Sequence, residues 1–415
     1  MLKTNANDLG AMKKEPEFWI LILVCSFIAL GPLTAAVILS IRKIVVLPSK
    51  LDVIAIYGCY LYVVLRVLKP IISRFKIDMF ILPLIVSCLW AMSFLFHSMD
   101  TELFIATGTQ IILTCIPFYI IARCVKDFGT LKRYLSYMAL LITLSMIFRI
   151  VLLGNELFLT ELYSQSGAYD LLPAIVISMG VLFDRFSFLH LLNIVISGFI
   201  IFSMGARGPL LCIVVYIALK TLLKSGGQIG KMTAIIAGGG MAFYIYHNTQ
   251  QVLVVLQKWI ISLNLSDRLV SKLLAGTFLE DTARNQLFDI AKTYVLNHPL
   301  IGTGIISDRL VVAKLMGERT SEAIGWYPHN IVAEIMMQFG IVIGAVLLSV
   351  ISLLIGKALL KESSTTEKDV VCIFVAIGIV PLMVSESYIT NGLFFALMGL
   401  CVNIWTKNRR LGKKI

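Results

Sequence analysis

Long apolar runs alternate with short polar stretches along the whole chain. We interpret twelve of these runs as membrane-spanning helices, each of which needs about 20 residues. The sixth run is shorter than the others and would suit a tilted, kinked or partly re-entrant helix. The pattern predicts an all-α, polytopic helical bundle forming a single membrane domain, 1–415, with helices near 18–41, 51–68, 79–96, 103–122, 135–153, 171–183, 187–204, 208–223, 233–257, 331–356, 370–384 and 389–406.

The composition agrees with a chain whose surroundings are mostly lipid. Apolar residues make up 58% of the 415 positions and charged residues only 14%, whereas soluble domains have about 45–50% and roughly 25%. A soluble cytoplasmic enzyme is therefore nearly excluded. The eight cysteines lie in or beside apolar runs, without CxxC pairs or zinc-ligand spacing. Neither a disulfide-linked ectodomain nor a zinc site is expected.

The net charge of +12 comes mainly from short basic clusters between the apolar runs. Such clusters are typical of the cytoplasmic side of a membrane protein, so we expect both termini there and no nucleic-acid partner. On this topology the short outer loops 97–102 and 385–388 lack Lys and Arg, and 154–170 carries only acidic charges. The exception is the first outer loop, which contains Arg42, Lys43 and Lys50.

One polar segment, 258–330, is much longer than the other connections and would face outward between the ninth and tenth spans. Positive charges in a long outer segment do not argue against this orientation. Within it, Thr282–Leu296 predicts a helix whose apolar side holds Leu287, Ile290, Ala291 and Tyr294. Connections of this length are usually functional or disordered, and we favour an ordered subdomain lying on the membrane.

A first candidate for chemistry is the segment Met204-Gly-Ala-Arg-Gly-Pro209, at the outer end of the eighth span. Pro209 suits the first turn of a helix, where its missing N–H costs nothing. Arg207 and Gly208 would then stand at a helix N-terminus, whose amides and dipole favour an anion such as a phosphate. The alternative is that Arg207 only extends toward lipid headgroups.

A second candidate combines the start of the loop helix with the stretch Asn297-His-Pro-Leu-Ile-Gly-Thr-Gly304. Arg284 falls in the first helical turn, where the helix dipole disfavours a cation, so it is a candidate anion ligand. The alternative is a solvated helix end. The two glycines either allow a close approach of the backbone or only terminate the helix.

The third candidate, Tyr327-Pro-His-Asn330, leads directly into the tenth span, and Glu334 follows one turn later. Of the five histidines, His329 is best placed for acid–base chemistry at the outer membrane face, since its usual pKa is about 6.5. The alternative is a polar helix cap in which Asn330 binds the exposed amides. Tyr327, Asn330 and Glu334 are candidate substrate contacts beside His329.

Arg149 lies within the outer third of the fifth span. An ionisable residue at that depth is a candidate substrate contact, and a side chain extending to the interface is the alternative. The sequence contains no dinucleotide-binding glycine motif, P-loop, HExxH or clustered carboxylates. We therefore expect no cofactor and no metal ion, and disfavour nucleotide-driven pumping and metalloproteolysis.

Three segments in chain order resemble the bacterial O-antigen polymerase and O-antigen ligase family. They are Ser203–Leu211, then Ala283–Ala291 with Asn297–Gly304, then Pro328–Gly340. Ala206 stands where the family usually has Ser or Thr before the first Arg. The matched region covers roughly 190–345, and the pattern of spans with its long outer loop extends the likeness to most of the chain.

The resemblance implies a metal-independent, inverting glycosyltransferase of the GT-C type in the bacterial inner membrane, with a periplasmic active site. The donor it implies is an oligosaccharide linked to undecaprenyl pyrophosphate, and a second lipid-linked oligosaccharide is the acceptor. Arg207 and Arg284 are then implied to bind the pyrophosphate, and His329 to take the proton of the acceptor hydroxyl. Membrane lipid and a chain-length-regulator protein are further implied partners.

Three functions remain as alternatives at this point. A polymerase joins lipid-linked repeat units, whereas a ligase moves finished polymer onto lipid A–core, and the stretch Asn297–Gly304 favours the polymerase. A polysaccharide flippase would also suit twelve spans, but it should show related halves and polar residues near the bilayer midplane. The polar residues of this chain gather at the outer face instead, and no internal repeat is visible.

Overall fold

A computed structural model describes residues 16–44, 77–96, 101–153, 165–223 apart from 205, 282–360 and 363–412, with scattered positions between 58 and 74 and between 254 and 275. Every element in these ranges is helical, which confirms the helical class. The helices are α1 Pro16–Ile44, α2 Ile81–Phe96, α3 Thr101–Gln110, α4 Ile116–Arg123, α5 Phe128–Leu153, α6 Gln165–Asp184, α7 Phe188–Ser203, α8 Arg207–Leu223, α9 Thr282–Asn297, α10 Ser307–Met316, α11 Ile331–Leu360, α12 Thr365–Gly378 and α13 Gly392–Gly412. A π-helical turn, Ile111–Cys115, joins α3 to α4.

Several helices have the length and apolar character needed to cross a bilayer. Among the described residues these are Ile77–Leu95, Thr101–Arg123, Phe128–Leu152, Gly167–Asp184 and Ile331–Leu360. Two predicted spans, 51–68 and 233–257, fall almost entirely outside the described residues. The chain thus has the helices of a membrane protein, while the number of twelve spans and the orientation stay predictions.

Several predicted helices have different bounds in the structure. The fifth, α5, begins at Phe128 and not near 135. The sixth is not short, because polar residues ahead of the apolar run form the first turns of α6. The eleventh ends early: α12 stops at Gly378, and a 3₁₀ turn, Val380–Met383, follows it. Pro381 explains the change, since proline lacks an amide hydrogen and restricts the residue before it.

The contacts divide the chain into two units. The first consists of Met1–Phe27, Tyr62–Leu131 and Asp281–Ile415, and the second of Ile28–Leu61 and Lys132–Glu280. Within the first unit, α13 packs along α4 and also contacts α11 and α12. Within the second, α6 packs against α7 and α8.

The helix predicted within the long polar segment is confirmed as α9, Thr282–Asn297. Its predicted apolar side faces the protein: Leu287 and Ala291 are buried, and Ile290 and Tyr294 pack beside them. The buried cluster that they join consists of Leu287, Ala291, Val295, Val312 and Met337. Because that cluster includes residues of α10 and α11, the described part of the segment is ordered. Its position relative to the membrane stays a prediction.

The long helix α11 is interrupted at Gly340, whose φ of 76° is left-handed. In an unbroken helix, the Ile341 N–H would donate to the Met337 carbonyl. Here it donates to the Pro299 carbonyl at 2.8 Å, and the Met337 carbonyl accepts the Thr303 N–H at 2.9 Å. The stretch 299–304 therefore supplies the hydrogen bonds that the helix loses at its break.

The contact between the stretch 299–304 and α11 explains why each of the two segments has a glycine there. A Cβ atom at Gly302 would lie 2.3 Å from the Gln338 carbonyl carbon, and one at Gly340 would lie 2.6 Å from the Leu300 oxygen. Of the two interpretations that the sequence left open for Gly302 and Gly304, close approach of the backbone is therefore confirmed for Gly302. Helix α9 itself ends earlier, at Asn297.

Replacing Gly302 with Ala should weaken this contact, because the new methyl group would overlap the Gln338 backbone. We expect the midpoint of thermal unfolding in detergent to fall by roughly 5 °C or more. Gly356→Ala is the matched control, since an added Cβ at Gly356 meets nothing within 4 Å and Ala favours a helix. Equal midpoints for the two variants would contradict the close approach.

Candidate functional site

His329 adopts a left-handed backbone conformation, with a φ of 52°, two residues before α11. Few non-glycine residues take this conformation, although histidine does so more often than most. Its Nδ1 atom lies 2.8 Å from the Ser385 carbonyl oxygen, and the Tyr327 hydroxyl donates to the same oxygen at 2.9 Å. The Tyr327 and His329 ring centroids are 4.2 Å apart. One backbone carbonyl thus fixes both side chains.

The Ser385 carbonyl also determines the tautomer of His329. A carbonyl oxygen only accepts hydrogen bonds, so Nδ1 carries the hydrogen and the lone pair of the neutral ring is on Nε2. The side chain is half-buried, and α11, which follows it, contains a candidate membrane span. A neutral imidazole held in this way is chemically suited to accept a proton from a hydroxyl group.

Asn330 caps the N-terminus of α11. Its side-chain oxygen accepts the N–H groups of Val332 and Ala333 at 3.0 and 3.2 Å. Amides in the first turn have no partner within the helix, so the capping interpretation of Asn330 is confirmed. Contacts of Asn330 and Tyr327 with a substrate stay predictions.

Arg284 is half-buried in the first turn of α9. Its charge acts on Tyr327: burial raises the pKa of the Tyr327 hydroxyl to about 12, with a further rise from Glu334, and Arg309 and Arg284 oppose that rise. The effect of Arg284 is the smallest of these influences. Arg284, one of the two predicted anion ligands, therefore lies within electrostatic range of the Tyr327 hydroxyl.

Next to this pair lies a buried ionic cluster of Asp308, Arg309 and Glu334, each at most 1% exposed. The Arg309 Nη1 atom is 3.7 Å from an oxygen of each carboxylate. Arg309 Nη2 donates to the Ser387 hydroxyl at 2.8 Å, and that hydroxyl donates to Glu334. The guanidinium carbon also lies 5.1 Å from the centre of the Tyr327 ring, which adds a cation–π contact.

Neighbouring polar groups complete most hydrogen bonds of the ionic cluster. Gln338 Nε2 donates to Asp308 Oδ1 at 2.8 Å, and the Tyr388 hydroxyl donates to Gln338 Oε1. Two buried atoms, Asp308 Oδ2 and Arg309 Nη1, have no hydrogen-bond partner. Burial raises the pKa of the Asp308 carboxyl above its usual value, and Arg309 only partly opposes that rise.

Glu334 was predicted as a substrate contact, but its side chain is fully buried. One oxygen accepts the Ser387 hydroxyl, and the other accepts the Tyr388 N–H at 3.4 Å. These bonds attach α11 to the turn that carries Ser385. Glu334 therefore reaches the candidate site from its buried side, through the Ser387 hydroxyl and the Tyr388 N–H.

Sequence reasoning missed two residues of the cluster, Asp308 and Arg309, and also Ser387, which bonds to it. Asp308 and Arg309 follow one another in a polar segment, as solvated surface charges usually do. Ser387 stands in a short turn between two apolar runs. No pattern in the sequence distinguishes these residues, because their partners lie far away along the chain.

The remaining candidates belong to the second unit. Arg207 is the first residue of α8, with Gly208 buried and Pro209 in the first turn, as predicted. Arg149 in α5 has its Nη1 atom 3.7 Å from an oxygen of Asp170, and its Nε and Nη1 atoms are buried without a hydrogen-bond partner. The roles of Arg207, Gly208 and Arg149 toward a substrate stay predictions.

No family model, curated protein or solved structure matches this chain.

The raised pKa of Asp308 predicts a stability that falls with increasing pH. Above the usual aspartate pKa of about 3.9 the unfolded chain loses this proton while the folded protein keeps it, which favours unfolding. In Asp308→Asn the amide oxygen can still accept from Gln338, and this titration is absent. We expect its unfolding midpoint to depend less on pH than that of the wild type, from about pH 4 upward.

The control for this measurement is Asp289→Asn, on the exposed side of α9, which should keep the pH profile of the wild type. Thermal unfolding in detergent across this pH range provides the comparison. Parallel profiles for Asp308→Asn and the wild type would mean that Asp308 is ionised in the folded protein.

Proposed function

We propose that this protein is a surface-polysaccharide polymerase of the bacterial inner membrane. It would join oligosaccharide repeat units linked to undecaprenyl pyrophosphate on the periplasmic face and release undecaprenyl pyrophosphate. The observation that carries the proposal is the His329 imidazole, whose Nδ1 atom lies 2.8 Å from the Ser385 carbonyl oxygen and is fixed by it. Transfer from a pyrophosphate donor requires such a base for the acceptor hydroxyl, together with a cation, here Arg284, for the leaving group.

In this mechanism, His329 Nε2 takes the proton of the acceptor hydroxyl. The resulting oxygen nucleophile attacks the anomeric carbon of the donor sugar from the side opposite the pyrophosphate. The bond between that carbon and the pyrophosphate oxygen breaks, and the leaving group keeps the electron pair. Attack from the opposite side inverts the anomeric configuration.

Charge develops on the pyrophosphate as it leaves, and fixed guanidinium groups would stabilise it. Arg284 is the candidate in the first unit. Arg207 is the second candidate, and its role rests on the sequence: an Arg at a helix N-terminus within a segment that resembles the family. The resemblance also supports the polymerase over the ligase, through the stretch Asn297–Gly304.

A gel of surface polysaccharide from the deletion strain tests the proposal. Loss of the polymer ladder with a single repeat unit on the lipid A–core, reversed by the wild-type gene, is the expected result. A bare core with accumulated lipid-linked polymer would identify a ligase instead. An unchanged ladder would overturn both functions and favour transport.

Complementation with single variants tests the residues. His329→Ala and Arg284→Ala should each abolish most of the ladder, since general bases typically contribute about 10²- to 10⁴-fold in rate. Matched controls are His298→Ala, an exposed histidine of the same segment, and Lys292→Ala, an exposed cation of α9. All variants should reach wild-type amounts in the membrane. A full ladder with His329→Ala would remove the base from the mechanism.

Polymerisation by the purified protein should continue in excess EDTA, because arginine side chains are proposed to carry the positive charge at the pyrophosphate. The assay would use lipid-linked repeat units in detergent, with and without the chelator. Loss of activity in EDTA that returns on addition of Mg²⁺ or Mn²⁺ would contradict a metal-independent transfer.

A further inference from the structure

The position of His329 depends on a carbonyl that belongs to a distant part of the chain. Ser385 is 56 residues away in sequence and lies in the turn 384–391 between the 3₁₀ turn and α13. The start of this turn is built on Pro381, whose carbonyl accepts the N–H groups of Ser385 and Glu386 at 2.8 and 3.0 Å. These two bonds hold one side of the Ser385 peptide.

The other side of the turn is held by the buried ionic cluster. The Ser387 hydroxyl donates to Glu334 and accepts from Arg309 Nη2 at 2.8 Å. The next N–H, that of Tyr388, also donates to Glu334. Residues 387–388 thus make three hydrogen bonds with the fully buried side chains of Glu334 and Arg309. These bonds lie two to three residues beyond the carbonyl that fixes His329. Hydrogen bonds to charged groups are among the stronger ones in proteins.

The ionic cluster also contacts the Tyr327–His329 pair directly, through Arg309 and the ring of Tyr327. The Arg309 guanidinium faces the ring of Tyr327, and the Tyr327 hydroxyl donates to the Ser385 carbonyl. Arg309 Nε also donates to the Ile324 carbonyl at 3.3 Å, which fixes the chain just before Tyr327. The turn that carries Ser385 and the segment that carries His329 therefore both bond to the Arg309 guanidinium, through Ser387 and Ile324.

We infer that Glu334, Arg309 and Ser387 are positioning residues that hold the Ser385 carbonyl against His329 and so select the imidazole tautomer with its lone pair on Nε2. The selection of the tautomer is a property of the folded protein alone. Its consequence for polysaccharide transfer rests on the proposed function, in which Nε2 accepts the proton. None of the three residues needs to touch the substrate.

Nitrogen-15 NMR of histidine-labelled full-length protein in lipid nanodiscs tests the tautomer directly. The His329 signals are assigned by their loss in His329→Asn. The wild type is expected to show the tautomer with hydrogen on Nδ1. Ser387→Ala removes the hydroxyl that links the turn to Glu334 and Arg309, and it should shift His329 toward a mixture of tautomers.

Matched variants separate positioning from general damage to the turn. Thr390→Val removes a hydroxyl from the same turn, one that donates to the Ser387 carbonyl rather than to the ionic cluster, and should keep the wild-type tautomer. Glu334→Gln keeps an oxygen that can accept the Ser387 hydroxyl, so it should retain more of the wild-type signal than Glu334→Ala. An unchanged His329 tautomer in Ser387→Ala would overturn the inference.

Kinetics of repeat-unit polymerisation give the functional readout. In Ser387→Ala, kcat should fall by about tenfold to hundredfold with little change in KM for the lipid-linked donor, because a misaligned base slows transfer without weakening binding. A changed tautomer with wild-type kcat would overturn the positioning role. A wild-type protein without polymerase activity would refute the proposed function instead, and the NMR result would still decide the tautomer.

Discussion

A guanidinium group buried among helices is the constraint on which the first unit depends. Arg309 is 1% exposed, so the protein must replace the water that a charged side chain normally binds. It does so with Asp308 from the same helix, Glu334 from α11 and Ser387 from the turn before α13. Loss of Glu334 would leave the buried guanidinium charge without compensation, which is typically destabilising by about 3–5 kcal/mol. These three elements are therefore held together electrostatically.

Steric fit along α11 complements this electrostatic constraint. The helix is broken at Gly340, and the stretch 299–304 satisfies the peptide groups that the break leaves open. Glu334 lies on α11 before the break, and Asp308 follows the stretch 299–304 closely in sequence. Docking of that stretch onto the helix consequently brings the two carboxyl groups to the same guanidinium. The docking of 299–304 onto α11 therefore produces both the close packing at Gly302 and the pairing of Arg309 with Glu334.

The sequence was informative wherever a signal is local. The apolar spacing of Leu287 and Ala291 predicted the buried side of α9, and Pro209 predicted the start of α8. It was uninformative where a contact joins distant positions. Arg309 and Ser387 are 78 residues apart, and each stands in a polar stretch that would suit a solvated loop. The early end of α12 has a local cause in Pro381, but the apolar run continues through that proline while the helix does not.

Two residues with left-handed φ angles stand beside the helices that carry the ionic cluster. Ile306, directly before α10, has a φ of 73°, and His329, just before α11, has a φ of 52°. A β-branched residue in this region is unusual, and such conformations cost roughly 1–3 kcal/mol each, so they persist only where the surroundings enforce them. Asp308 and Arg309 belong to α10 and Glu334 to α11, and Arg309 contacts both Glu334 and the ring of Tyr327, two residues before His329. We therefore interpret the ionic cluster as the source of the rigidity that keeps His329 in an otherwise unfavourable conformation, with its Nδ1–H on the Ser385 carbonyl.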